Sequence, residues 1–474
     1  METIILQIAA KMVDKVLENL RENGIRDIGE TVHQLLGIVN PSILEIVSAT
    51  IEQMDVALVN ANQARREDGL RIKERNVPRT QVTDLGEVRY QRTYFETKDN
   101  QRYYLVDHLI GVEPYERLTK KLCAELVQAA ADKSMAAAAK ELHVDVSRQT
   151  VNNKVLALKE VVIEATREKE TPKELHLFAD EDHVHLKNGH NAVVPLVTVT
   201  EGVDTSKKRH KTINAVHFEG YGIGNDSFFE NIASFLEERY NMEQVNTVYV
   251  HADGGQWIRK AEEWLPNVRF VMDGFHLEKR LRQISRLEGA KPYMGAIRKS
   301  ISEDRFDRFA SYYVKINKNL DEYGRKTLAK NIHFIRNHWD AIVLRMRNQV
   351  CGSCTEPLVS HVLSGRLSRN PLAWSDHGLR QMAMLRVYVK NGGVVTTKDI
   401  RVSRSKADLD RDRAALQFGF AKYCAYADKQ IDEFLSHKPD WSIFDKSYVR
   451  SGKLDGTKML LKAWGTIRDT VASA

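Results

Sequence analysis

Five residues of this chain have types and surroundings suited to chemistry. Asp180 lies in "ELHLFADEDHVHL", Asp253 in "NTVYVHADGGQW" and Glu356 in "CTEPLVSHVLSGRL", while Asp273 and His276 share "VRFVMDGFHLEKRL". Carboxylates brought close together repel unless something positive sits between them. Mg²⁺ or Mn²⁺, hard cations that take carboxylate and water oxygens, are the usual answer. Two such ions about 4 Å apart can activate a nucleophile and stabilise the leaving oxygen of a phosphodiester displacement. Plainer readings stand beside this one. Asp253, before Gly254 and Gly255, suits a turn or a helix cap. Glu356 suits the first turn of a helix through the dipole alone. Asp182 lies two residues after Asp180 on the same strand face and rivals it as first acid. Asp273 could simply cap the next helix with His276 packed and inert, or could orient His276 as a partner of the reacting groups.

The acids meet only if strands carry two of them side by side. "ELHLFADEDHVHL" (174–186), "AVVPLVTVTE" (192–201) and "KTINAVHFEG" (211–220) alternate as strands do. An amphipathic helix follows over 226–241, an apolar strand over 246–253, a helix from Trp257 to Leu265 and a strand over 268–273. Three antiparallel strands followed by strands joined through crossovers make an α/β, ribonuclease-H-like arrangement of a mixed five-strand sheet. Asp180 then sits in the first strand and Asp253 at the carboxyl end of its neighbour, where α/β sheets place their sites. Glu356 would arrive on a helix capped by Thr355. Pro357 is tolerated in its first turn, and Val359 and Leu363 are spaced to bury Glu356's side against the sheet.

The remaining elements suit a polyanionic partner. From Lys279 to Gln349 there are 17 Lys/Arg against 7 Asp/Glu, an excess larger than the net +7 of the whole chain. Lys279, Arg280, Arg282 and Arg286 open that block. Between Asp132 and Val161 an alanine-rich helix, a turn and a helix capped by Ser147 outline a helix-turn-helix. Arg148, Gln149, Asn152, Asn153 and Lys154 lie at the start of its second helix, where base and phosphate contacts are made. Residues 1 to about 75 read as helical, broken at Asn40-Pro41-Ser42, with Ser42 and Glu45 as a capping box. "GEVRYQRTYFETKDNQRYYLVD" reads as a hairpin turning at Lys98-Asp99-Asn100.

Cys351-x-x-Cys354 has neither a second pair nor a His pair at zinc spacing, so the cysteines, with Cys123 and Cys424, read as reduced, incidental thiols of a cytosolic protein. His183, His185 and His190 read as surface strand histidines. The first residues suit an amphipathic helix rather than a signal peptide, and no apolar run reaches membrane-spanning length.

Taken in order, "ADEDHVHL", "HADGGQWI", "DGFHLEKRL" and "EPLVSHVLSGRLSRNPLAWS" resemble the acid motifs of a bacterial insertion-sequence DDE transposase. The hairpin and helix-turn-helix fit the same layout. The group most similar is a set of transposase-like proteins long known as an uncharacterised protein family, distantly similar to Mutator-type transposases. The chain departs at Pro357, where a small residue is expected. The resemblance implies a ribonuclease-H-like catalytic core with a helical insertion, preceded by a mainly helical N-terminal region. It implies two Mg²⁺ (or Mn²⁺) ions on Asp180, Asp253 and Glu356, with Asp273 and His276 as the family's companion Asp-x-x-His pair. The expected partners are double-stranded DNA, both element ends and target, and further copies of the chain, on the bacterial nucleoid in the cytoplasm. The expected segments are 1–78 helical, 79–113 hairpin, 114–170 helix-turn-helix, 171–278 first part of the core, 279–350 basic insertion, 351–390 second part with the third acid, and 391–474 C-terminal helices. A catalytically silent DNA-binding derivative and a structure-specific nuclease are the alternatives on this fold.

Overall fold

The computed structural model describes residues 2–401 apart from 99, 101, 163–171, 207–210, 348–349, 352–353 and 370–371. Residues 402–474 of the expected C-terminal helices, with Cys424, and Asp99 of the expected turn fall outside the described residues. The chain divides into two compact units, one reaching Leu122 within the described residues and one spanning Cys123–Arg401.

In the first unit, helices run over Glu2–Asn23 and Ile28–Asn60. Asp27 caps the second by accepting the Glu30 amide at 2.8 Å, so the chain breaks at Gly24–Asp27 and the helix continues through Pro41. The break expected at Pro41 is absent. Ser42 donates back to the Ile38 carbonyl at 3.1 Å as a helix-interior serine instead of capping anything. Proline removes one backbone bond, and 33 residues of helix absorb that loss. By length and composition this helix is also apolar enough to cross a membrane, which corrects the expectation from apolar runs. Uncharged polar residues such as Asn40 and Ser42 interrupt the run without lowering the average much. Toward its C-terminal end, Glu52 and Asp55 accept the amides of Gln91 and Thr93 at 2.8 and 3.0 Å.

Those amides belong to a hairpin that differs from the expected one. Gly86–Glu96 pairs with Arg71–Thr83, upstream of it, and only the two residues Arg102–Tyr103 pair on its other side. The earlier strand escaped notice because Lys, Glu, Arg and Asn leave it no apolar alternation. As an edge strand it also tolerates Pro78.

The second unit is a mixed α/β structure. Its sheet contains β1 (Glu174–His185), β2 (Asn191–Thr200), β3 (Val216–Glu219), β4 (Thr247–Ala252) and β5 (Val268–Met272), in the order β5-β4-β1-β2-β3. β1–β2 and β2–β3 are antiparallel, whereas β1–β4 and β4–β5 are parallel. The third strand expected over 211–220 is split. Lys211–Ile213 pairs with Gly202–Asp204 as a separate arm, and only Val216–Glu219 joins the sheet. Asn214 between them has φ +50°, which turns the chain out of strand geometry.

Parity along the strands separates the two faces. Leu175, Leu177 and Ala179 of β1 and Val248, Val250 and Ala252 of β4 bury against helix α1 (Asn225–Arg239), through Phe228, Phe229, Ile232 and Leu236. Each valine, leucine, isoleucine or phenylalanine among them contributes about 1.5–3 kcal/mol. The residues between them, His176, Phe178, Asp180 and Asp182 on β1 and His251 on β4, take the opposite face.

Helices α2 (Gly274–Ser285), α3 (Met294–Ser302), α4 (Phe306–Asn317), α5 (Glu322–Asn337) and α6 (Trp339–Met346) follow β5 and share a core that includes Met272, Leu281, Ile301, Leu328 and Ile342. The chain returns to the sheet at α7 (Thr355–Val359), which continues through a π turn over Ser360–Ser364. The buried Arg386 on α8 (Asp376–Lys390) donates to the His361 and Val362 carbonyls of that turn at 2.9 and 2.7 Å and pairs with Asp132. This holds orphaned carbonyls of the distorted turn in place.

Helices over Met135–Glu141 and Arg148–Leu156 form the expected helix-turn-helix outline, each capped by a serine: Ser134 accepts the Ala137 amide and Ser147 the Thr150 amide. The pair belongs to the second unit, where Leu158 bridges to Ile400.

Candidate active site

Asp180 is half-buried on β1, and Asp253 follows the last residue of β4, the strand beside it. Burial pushes the Asp180 carboxyl up to about 6, and the neighbouring charges of Asp253 and Glu356 add to the rise. The Glu181 amide at 2.9 Å and the His276 imidazole pull it down. Residues 180, 253, 276 and 356 therefore share one electrostatic site. Asp182 does not join it. Asp182 is buried and accepts the Ser368 hydroxyl on both oxygens, at 2.9 and 3.0 Å, while Asp253 is among the charges that act on Asp180.

Asp253 also accepts the Gly255 amide at 2.8 Å, so the turn reading and proximity to Asp180 hold together. Gly254 makes the turn possible. Its φ is +100°, and a Cβ there would stand 2.6 Å from the His338 ring.

Asp273 is 3% exposed and caps α2, accepting the Phe275 and His276 amides at 2.9 and 3.2 Å. The same Oδ1 lies 3.3 Å from His276 Nδ1. Its other oxygen accepts the Thr355 hydroxyl at 3.0 Å. Thr355 thus does not cap α7 as expected; Cys354 holds that position without a side-chain bond. The Thr355 hydroxyl goes to Asp273 because both are buried where α7 starts beside β5. Capping and partnership are one arrangement: Asp273 fixes the helix carrying His276 and the residue before Glu356. The bond to Asp273 raises the His276 pKa, with Asp253 and Asp180 adding to the rise. Glu356, exposed at the second position of α7, stands at the open edge of the site.

A second cluster on the same sheet face was missed in the sequence. His176 Nδ1 lies 3.2 Å from His251 Nε2, and Cys351 Sγ lies 3.3 Å from the first and 3.9 Å from the second. Burial pushes His176 down to about 4 and His251 to about 3, and pushes Cys351 up to about 11 and Cys354 to about 12. The available signal was parity: His176 precedes Asp180 by four residues and His251 precedes Asp253 by two, so each faces the side of its acid.

The expected DNA contacts divide by exposure. Lys279 and Arg282 on α2 and Arg286 at its C-cap are exposed, whereas Arg280 is half-buried with its guanidinium 4.5 Å from the Phe334 ring centre. Arg280 therefore packs α2 on α5 and does not share that exposure. Arg148, Gln149 and Asn153 are exposed and Asn152 and Lys154 half-buried, with Gln149 donating to Asn153 at 2.8 Å.

Among curated proteins the chain is similar to a UPF0236 protein of Caldanaerobacter subterraneus subsp. tengcongensis, 32% identical over 401 residues, covering 83% of this chain and 84% of the relative. The name of that relative joins eleven locus designations. It is also similar to a UPF0236 protein in the vanSb 3′ region of Streptococcus gallolyticus, 22% identical over 390 residues, covering 77% of this chain and 84% of that one. The description of the uncharacterised protein family UPF0236 matches residues 20–404, and the chain belongs to that family.

Proposed function

We propose that this chain is a DNA transposase with a ribonuclease-H-like core, cutting element ends and joining them to target DNA. The observation that carries this reading is that the Asp180 carboxyl feels the charges of Asp253, Glu356 and His276, residues drawn from up to 176 positions away in the sequence. The strand order with one antiparallel and one parallel half supports the same core. A relative whose name joins eleven locus designations also suits an element that copies itself.

The donor set fits Mg²⁺ or Mn²⁺. The charges that shift Asp180 are those of two further carboxylates, Asp253 and Glu356, and of His276, with no lysine or arginine among them. Asp180, Asp253 and Glu356 would hold two such ions, which supply an activated water or 3′-hydroxyl and a stabilised leaving oxygen. Asp180 and Asp253 are held by strands, while Glu356 depends on the Thr355–Asp273 bond for its position. His276, oriented by Asp273, stands where it can hold a proton or a phosphate oxygen. Lys279, Arg282 and Arg286 extend this site along α2 toward the DNA backbone, and the helix-turn-helix would read the element ends. Copies of the chain would pair the two ends.

The test is a DNA substrate carrying the gene's own flanks, incubated with purified protein and Mg²⁺. Losing one ligand removes several kcal/mol of transition-state stabilisation, so Asp253→Asn is expected to reduce cleavage and joining by about a thousandfold and leave DNA binding intact. Cleavage without joining would establish a nuclease instead. DNA binding with no Mg²⁺-dependent cleavage by the wild-type chain would establish a silent DNA-binding derivative.

A further inference from the structure

Two imidazoles and a thiol converge in the second cluster where ordinary hydrogen bonding cannot satisfy them together. His176 is 5% exposed and His251 is 0% exposed. His176 Nδ1 faces both His251 Nε2 at 3.2 Å and Cys351 Sγ at 3.3 Å, yet a ring nitrogen has one lone pair or one proton to offer. The second nitrogen of His251, Nδ1, is buried without a hydrogen-bond partner. Core histidines are ordinarily anchored by a carbonyl or carboxylate; these two are anchored by each other and by sulfur.

One ion would satisfy all three atoms. Tetrahedral zinc with bonds of about 2.0 Å to nitrogen and about 2.3 Å to sulfur sets its ligand atoms about 3.3 Å apart for N···N and about 3.6 Å for N···S. The observed separations of 3.2, 3.3 and 3.9 Å bracket those values. Nitrogen and sulfur donors select a softer ion than the carboxylates do.

We propose that His176 Nδ1, His251 Nε2 and Cys351 Sγ bind a structural Zn²⁺, with Cys354, three residues after Cys351 and outside the three-atom cluster, supplying the fourth donor on binding. Binding deprotonates the two thiols and releases both protons to solvent. The site would clip the segment entering α7 onto β1 and β4. Each strand and the returning segment would then carry one zinc ligand and, two to five residues further on, one acid: His176 and Asp180, His251 and Asp253, Cys351 and Glu356. The zinc site stands independently of the DNA reading, since it uses none of the three acids.

The test uses the full chain, purified without chelator from zinc-supplemented cells, with metal content measured by mass spectrometry. About one zinc per chain is expected for the wild type and for Asp253→Asn, and about a tenth of that for Cys351→Ser. Replacement by Co²⁺ in the wild type is expected to give a thiolate-to-cobalt charge-transfer band with tetrahedral visible absorption, a readout independent of whether any variant folds. A wild-type chain that takes up neither zinc nor cobalt overturns the proposal. So does zinc content unchanged in folded Cys351→Ser and His251→Gln.

Discussion

Two clusters share one face of one sheet, and they differ in every property that selects a metal. Toward the carboxyl ends of β1 and β4, Asp180, Asp253 and Glu356 present oxygens, Glu356 exposed and the others half-buried. Deeper along the same strands, the buried His176 and His251 and the half-buried Cys351 present nitrogen and sulfur. The open oxygen cluster suits an exchangeable hard ion and a bulky substrate. The closed nitrogen–sulfur cluster suits a resident structural ion. On the proposed reading, position along a strand separates reaction from reinforcement on a single surface.

His276 offers the sharpest way to break that division, because it acts on Asp180 and Asp253 while Asp273 orients it. His276→Ala is expected to slow cleavage by about 10- to 100-fold, as loss of a residue orienting a metal ligand does. Zinc content and melting temperature are expected to stay near the wild type. If melting temperature falls and the rate per folded molecule does not, Asp273 and His276 serve only to start α2.

A smaller effect separates the clusters by pH. The Asp180 carboxyl titrates at about 6 in the folded chain against an ordinary 3.8, so the folded state holds its proton more tightly. Stability from this group is complete below the unfolded value and is lost as pH rises through the folded one. At pH 7 without added divalent ions, Asp180→Asn is expected to stabilise the chain by about 1–2 kcal/mol after allowance for solvent screening. The gain is expected to vanish near pH 4. Melting curves of both chains at the two pH values check this, and equal melting temperatures at pH 7 would show that neither burial nor the neighbouring carboxylates raise the Asp180 carboxyl.

What could be read from the sequence followed local periodicity. Asp180 and Asp253 were legible because alternation fixed a strand face and a strand end, and Ser147 because capping is a short-range pattern. Pairing between distant segments was not legible. The partner of Gly86–Glu96 is a charged strand with no apolar alternation, and Arg280 turns to Phe334, 54 residues away, while Lys279 and Arg282 stay exposed. The His176–His251–Cys351 cluster joins residues 75 and 100 apart, so it exists only once β1 and β4 are paired. Cys351-x-x-Cys354 looked incomplete because its histidines come from the sheet.

The convergence of three acids on a hard ion is tested most directly by Mn²⁺ binding, followed by electron paramagnetic resonance on the zinc-loaded chain. Asp180→Asn, Asp253→Asn and Glu356→Gln are each expected to weaken Mn²⁺ binding by about tenfold or more, since each removes a charged ligand. Asp182→Asn, whose carboxylate is engaged by Ser368, is expected to bind as the wild type does. Wild-type affinity in all three acid variants, or loss confined to Asp182→Asn, would contradict the assignment of Asp180, Asp253 and Glu356 as one metal site.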